Sequence, residues 1–151
     1  MGEKLGRKGF TLALAESCTG GKLGDIVTEV PGSSVYFLGG VVSYSDDAKV
    51  EMLGVDRAVI ESKGAVSEEV ARMMADGARM RFGADVGVGI TGIAGPTGAT
   101  STKPVGLVFI AVASEASSTC VENRFTGSRS EVKCMAAEKA VLLLDEFLDS
   151  I

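Results

Sequence analysis

Leu12-Ala13-Leu14-Ala15-Glu16 runs without a break into Ser17-Cys18-Thr19-Gly20-Gly21. A short apolar run that ends in a hydroxyl and two glycines is the pattern of a buried strand turning into a helix N-terminus. Such a turn presents either a nucleophile or a set of backbone amides that binds an anion. The chain contains no histidine, so a Ser-His-Asp arrangement is excluded by composition. A serine nucleophile here needs another base, and the obvious one is a lysine held neutral by its surroundings.

Outward from this turn, the punctuation of the chain alternates strands with helices. Thr11–Glu16 is predicted as a strand, and Gly20–Val30 as a helix stopped by Pro31-Gly32. The β-branched and aromatic stretch around Gly39-Gly40 gives a second strand over Gly40–Tyr44. Ser45 is a suitable N-cap for a helix Asp46–Met52, with two acids in its first turn. Ser67, followed by Glu68 and Glu69, caps a longer helix to Phe82, with Ala71, Met74, Ala75, Ala78 and Phe82 on its apolar face. Val86–Thr91 and Val105–Ala113 are predicted as strands, and Cys120–Phe125 as a weaker edge strand. A last helix spans Ser130–Leu148, with Val132, Met135, Ala136, Leu143, Leu144, Phe147 and Leu148 turned to the core. This order implies an α/β sandwich with a mainly parallel sheet. With 151 residues and no linker, repeat or charge block, the expectation is one domain over 1–151.

Composition narrows the function. A net charge of −5, two tyrosines and no tryptophan leave no electrostatic footprint for nucleic acid. No apolar run approaches the ~20 residues of a membrane span, and Gly6-Arg7-Lys8-Gly9 interrupts any signal-peptide core. Cys18, Cys120 and Cys134 are odd in number and lack metal-type spacing, so they point to reduced thiols and a cytoplasmic location. Without histidine or a CxxC pair, a zinc site is not expected. The partner expected is therefore a small molecule, with any phosphate met locally.

In open α/β sheets, ligands sit beyond the carboxyl ends of the strands. Four segments are placed to gather there: Ser17–Gly21, Tyr44–Lys49, the long loop Thr91–Pro104, and the turn Thr126-Gly127-Ser128-Arg129. The glycines of the third let backbone approach a ligand closely, although a long loop is otherwise ordinary mobile surface.

These residues also carry a family resemblance. Ala15-Glu16-Ser17-Cys18-Thr19-Gly20-Gly21, Val42-Ser43-Tyr44-Ser45-Asp46-Asp47-Ala48-Lys49, Gly64-Ala65-Val66-Ser67, and Thr91-Gly92-Ile93-Ala94-Gly95-Pro96 with Lys103-Pro104-Val105-Gly106 resemble the CinA C-terminal domain family. The motifs occur in the family's order and span nearly the whole chain. The resemblance implies a three-layer α/β/α sandwich with a mixed sheet of about five strands, and a homodimer. It implies the activity of nicotinamide mononucleotide deamidases of the PncC type, which hydrolyse that nucleotide's carboxamide without a metal or other cofactor, in pyridine nucleotide recycling. Longer family members carry a further N-terminal domain resembling molybdopterin-binding proteins, for which 151 residues leave no room.

The resemblance assigns Ser17 as nucleophile, Lys49 as base and Tyr44 as relay or orienting group. It carries Thr19, Gly20, Gly21, Thr91, Gly92, Gly95 and Arg129 over as substrate contacts, with Arg129 suited to a bidentate phosphate clamp. The residues themselves fit, since amides around Thr19–Gly21 would meet an oxyanion or a phosphate. Spacing alone permits blander roles: Ser17 as a turn hydroxyl, Lys49 as a solvated lysine, Tyr44 as a half-buried core aromatic. Arg129 is then a solvated first-turn side chain, and Thr91 a turn cap. Cys18 is a rival nucleophile, though the expectation is that it packs against the sheet. The chain departs from the family at Ser128, where an aspartate is common, at Lys133, where an arginine is common, and at Thr97-Gly98-Ala99. Two function classes thus stand: a deamidase, and a non-catalytic nucleotide- or metabolite-binding module on the same fold.

Overall fold

Large and small side chains, rather than apolar and polar ones, alternate along the central strands. The computed structural model describes all of residues 1–151. In chain order the elements are α1 (Gly2–Lys8), β1 (Leu12–Glu16), α2 (Lys22–Thr28), a single 3-10 turn (Ser33–Val35), β2 (Phe37–Val42), α3 (Asp46–Leu53), α4 (Arg57–Lys63) and α5 (Glu68–Phe82). There follow β3 (Val86–Gly92), β4 (Leu107–Ser114), β5 (Ser118–Arg124) and α6 (Arg129–Ser150). The five strands form one mixed sheet in the order β2-β1-β3-β4-β5. The β1–β2 and β1–β3 pairs are parallel, whereas β3–β4 and β4–β5 are antiparallel. As a result β1, β2, β3 and β5 all end at the same edge of the sheet.

Leu12, Leu14, Val86, Val88, Ile90, Val108, Ile110 and Val112 cover one face and pack on α1, α2 and α6 through Leu5, Leu23, Val27, Ala136, Ala140 and Leu144. The opposite face presents Ala13, Ala15, Ala111 and Ala113, with Gly87 and Gly89 between them, and carries α3, α4 and α5. Small residues on both sides let α5 lie almost directly on the sheet. A Cβ at Gly87 would stand 2.0 Å from the Ala75 carbonyl oxygen, and one at Gly89 would stand 2.4 Å from that of Ala71. The layers are therefore α/β/α, as the resemblance implies.

Three helix starts follow their caps. Ser45 Oγ accepts from the Ala48 amide at 3.1 Å and Ser67 Oγ from the Val70 amide at 3.3 Å. Ser128 caps α6 in a reciprocal capping box with Glu131. Other boundaries move. The second strand is Phe37–Val42 rather than Gly40–Tyr44, because a register shift between Leu12 and Ala13 pairs Phe37 and Gly39 with consecutive residues of β1. Gly39, at φ 145°, supplies the conformation that this irregularity needs. Two short helices, α1 and α4, were not foreseen. Gly2 and Gly6 disguise α1, whose Leu5 is fully buried; only Ile60 of α4 is buried, too little for a periodic signal. No helix is long and apolar enough to cross a membrane.

Candidate active site

Ser17 follows the last residue of β1 and is 8% exposed. The cap at Ser45 starts α3 at Asp46, which sets Lys49 one turn in, on the side facing the sheet. Its side chain is 1% exposed. Lys49 Nζ lies 3.1 Å from Ser17 Oγ and donates to the Ser43 carbonyl at 2.8 Å. No carboxylate pairs with it. Burial holds the amine below its ordinary pKa, opposed by the charge of Asp46 and then by the Cys18 thiol. A buried lysine without an anion, touching a serine hydroxyl, is the arrangement that lets an amine take a proton from an alcohol.

These two residues line a cavity of about 310 Å³ at the carboxyl edge of the sheet. The four segments expected there meet around it, represented by Cys18, Tyr44, Thr91 to Gly95 and Arg129. The loop between α4 and α5 adds Ala65 and Val66, held by a 2.8 Å hydrogen bond from Thr91 Oγ1 to the Ala65 carbonyl. Thr91 is buried and Gly92 closes β3, so both belong to the strand and the loop proper begins at Ile93.

Tyr44 lies beyond β2 and is 60% exposed, not half-buried. Its hydroxyl accepts from Arg129 Nη2 at 2.7 Å and reaches neither Lys49 nor Ser17, while Arg129 Nη1 donates to the Gly95 carbonyl at 2.7 Å. Arg129 thus bridges two of the loops across the cavity mouth. It also lines a neighbouring hollow of about 290 Å³ with Lys22, Ser130 and Lys133. None of Lys22, Arg129 and Lys133 pairs with a carboxylate. A Cβ on Gly20 would stand 3.4 Å from Lys133 Nζ, so Gly20 leaves room for that lysine over the turn.

Thr19, Gly20 and Gly21 stand outside the cavity lining. The Thr19 hydroxyl is buried without a partner. Gly20 N–H donates to the Ser17 carbonyl at 3.1 Å. Gly21 N–H donates to Glu16 at 3.0 Å, as do the amides of Leu23 at 3.1 Å and Gly24 at 2.8 Å. The N-terminus of α2 is therefore filled by an anion of the chain itself. The amides of Cys18 and Thr19 donate to no oxygen of the protein. Cys18 is 6% exposed, and burial pushes its thiol up to about 11, which disfavours the reactive thiolate. Glu16 was read only as part of a motif. The Ser43 carbonyl escaped notice because a backbone acceptor leaves no signal in residue type.

The fold and the site together define a class: a three-layer α/β/α domain that holds a serine against a buried, carboxylate-free lysine at the carboxyl edge of its sheet. Comparison with known proteins agrees with that architecture. The chain belongs to the CinA family, and the CinA C-terminal domain profile matches residues 1–148. It is 49% identical over 143 residues to a putative competence-damage inducible protein of Moorella thermoacetica, covering 95% of this chain and 34% of that protein. It is 48% identical over 134 residues to a CinA-like protein of Geobacter sulfurreducens, covering 89% of this chain and 32% of that one. The chain thus spans about a third of the length of these curated relatives. Among solved structures, a competence/damage inducible protein from Agrobacterium tumefaciens superposes with a TM-score of 0.93 at 38% identity, over 97% of this chain and 90% of that one. A CinA superfamily protein from Klebsiella pneumoniae gives 0.95 at 33% identity, over 99% and 93%.

Proposed function

We propose that this domain hydrolyses a carboxamide by serine–lysine chemistry, with nicotinamide mononucleotide as substrate and nicotinic acid mononucleotide and ammonia as products. The observation that carries the reading is the buried Lys49 amine 3.1 Å from Ser17 Oγ. Ser17 Oγ attacks the carboxamide carbon as its proton passes to Lys49 Nζ. The C–N bond then breaks as the lysine returns that proton to the departing nitrogen, which releases ammonia and leaves an ester on Ser17. Water, deprotonated by Lys49, opens the ester; the acid departs and Ser17 regains its proton.

The amide of Cys18, directly after the nucleophile and at the cavity wall, donates to no protein oxygen and is the donor left for the oxyanion. The substrate phosphate goes to Arg129 and the adjoining Lys22 and Lys133, because Glu16 already occupies the α2 N-terminus. Lys133 supplies charge there without the planar fork of an arginine.

Ammonia release from nicotinamide mononucleotide by the purified protein tests the reading. Wild type should turn over, and Ser17→Ala and Lys49→Ala should each lose at least about 10³-fold in kcat. Binding of the nucleotide by wild type with no ammonia released would replace the hydrolase with a binding module.

A further inference from the structure

We propose that Glu16 is a positioning residue: its carboxylate serves as a built-in anion at the start of α2 and holds the Ser17–Gly21 turn so that Ser17 Oγ faces Lys49. The inference rests on the serine–lysine reading and adds a residue to it. Glu16 is 3% exposed and has no cationic partner. Oε2 accepts from Gly21 and Leu23, and Oε1 from Gly24, at 2.8–3.1 Å. Hydrogen bonds to an ionised acceptor are about twice as strong as neutral ones, and the helix N-terminus adds its own positive field. The side chain closes a ring around Ser17, Cys18, Thr19 and Gly20, the segment that must be rigid if the nucleophile is to keep its aim.

The backbone of Glu16 is fixed from both sides. It pairs with Val42 on β2 and with Ile90 on β3. Its carbonyl accepts from the Ser43 amide at 2.8 Å, and the Ser43 carbonyl accepts from Lys49 Nζ at 2.8 Å. One residue therefore registers both halves of the pair. Its main chain places the acceptor that aims the amine, and its carboxylate places the turn that aims the alcohol. A displacement of about 1 Å at a reacting group costs on the order of 10²-fold in rate.

The test is the rate at which a fluorophosphonate probe labels Ser17, read by mass spectrometry per folded molecule, together with kcat and KM for the nucleotide. Glu16→Gln keeps the shape but turns an NH₂ group toward amides that are themselves donors. Gly24→Pro removes one of the three donors in the first helical turn, where proline is tolerated, and leaves the carboxylate intact. The expected result is a fall in labelling and in kcat of about 10²-fold for Glu16→Gln and about tenfold for Gly24→Pro. KM should stay within about twofold, since Glu16 lines neither the cavity nor the hollow beside it. Labelling at the wild-type rate in both variants, or a loss carried by KM alone, overturns the proposal. Wild type that labels at Ser17 but releases no ammonia would reject the substrate and leave the positioning role to be decided by the labelling rates. Wild type that never labels at Ser17 rejects the nucleophile, and the role of Glu16 with it.

Discussion

At the scale of the residue, Lys49 sets the terms. Its ammonium form is disfavoured by burial, and nothing anionic touches it. Between its lowered value and the ordinary 10.5 of an unfolded lysine, the native state binds fewer protons than the unfolded one. Stability therefore rises with pH across that window, and below it the full penalty is present. Lys49→Met should be more stable than wild type at pH 7 by about 1–2 kcal/mol, with the gain shrinking as pH approaches 10. Urea unfolding at the two pH values measures this, and an equal difference at both would show that the amine is not neutralised by folding. In the proposed reaction, kcat/KM rises with pH through the same lowered value. The serine was legible from its turn, and the lysine from its motif. What sequence could not supply was the acceptor side: the Ser43 carbonyl, and a glutamate that binds amides instead of a substrate.

At the scale of the element, β3 was legible as a buried strand but its alternation was not. Val-Gly-Val-Gly-Ile counts as unbroken apolar sequence, whereas in the fold it separates a face of branched side chains from a face with none. That bare face lets the Ala71–Ala78 side of α5 come down to backbone contact. Gly89→Ala should therefore destabilise by about 2–3 kcal/mol, because the new methyl meets helix backbone that has no rotamer to change. Chemical denaturation reads the loss; wild-type stability would mean that α5 can lift off the sheet at no cost. Helices with a serine cap were found close to their predicted starts, since the cap is a local rule. The strand β2 starts at Phe37 rather than at the expected Gly40, where Gly39 carries an irregular register and Gly40 lies close against Leu14.

At the scale of the whole molecule, the convergence of four loops followed from one topological rule applied to a chain that alternates strands and helices. The two antiparallel pairings do not disturb it, since β5 runs with β1 and its exit meets the same edge. The rule does not say which side chain closes the arrangement. Arg129 does so, by joining the Tyr44 hydroxyl to the Gly95 carbonyl over the mouth of the cavity. If the proposed substrate is right, Arg129→Ala should raise KM for the nucleotide by about 10- to 100-fold and change kcat less, because a clamp on a remote phosphate would be made in ground and transition states alike. An unchanged KM would put the phosphate elsewhere.

The pairing of Ser17 with Lys49 joins residues 32 positions apart, and the amine loses water only when α3 is seated on the sheet. A chain still emerging from synthesis, or one that has begun to unravel at α3, carries an ordinary ammonium and an ordinary alcohol. In the proposed reaction, such a chain holds no base beside the serine to take its proton.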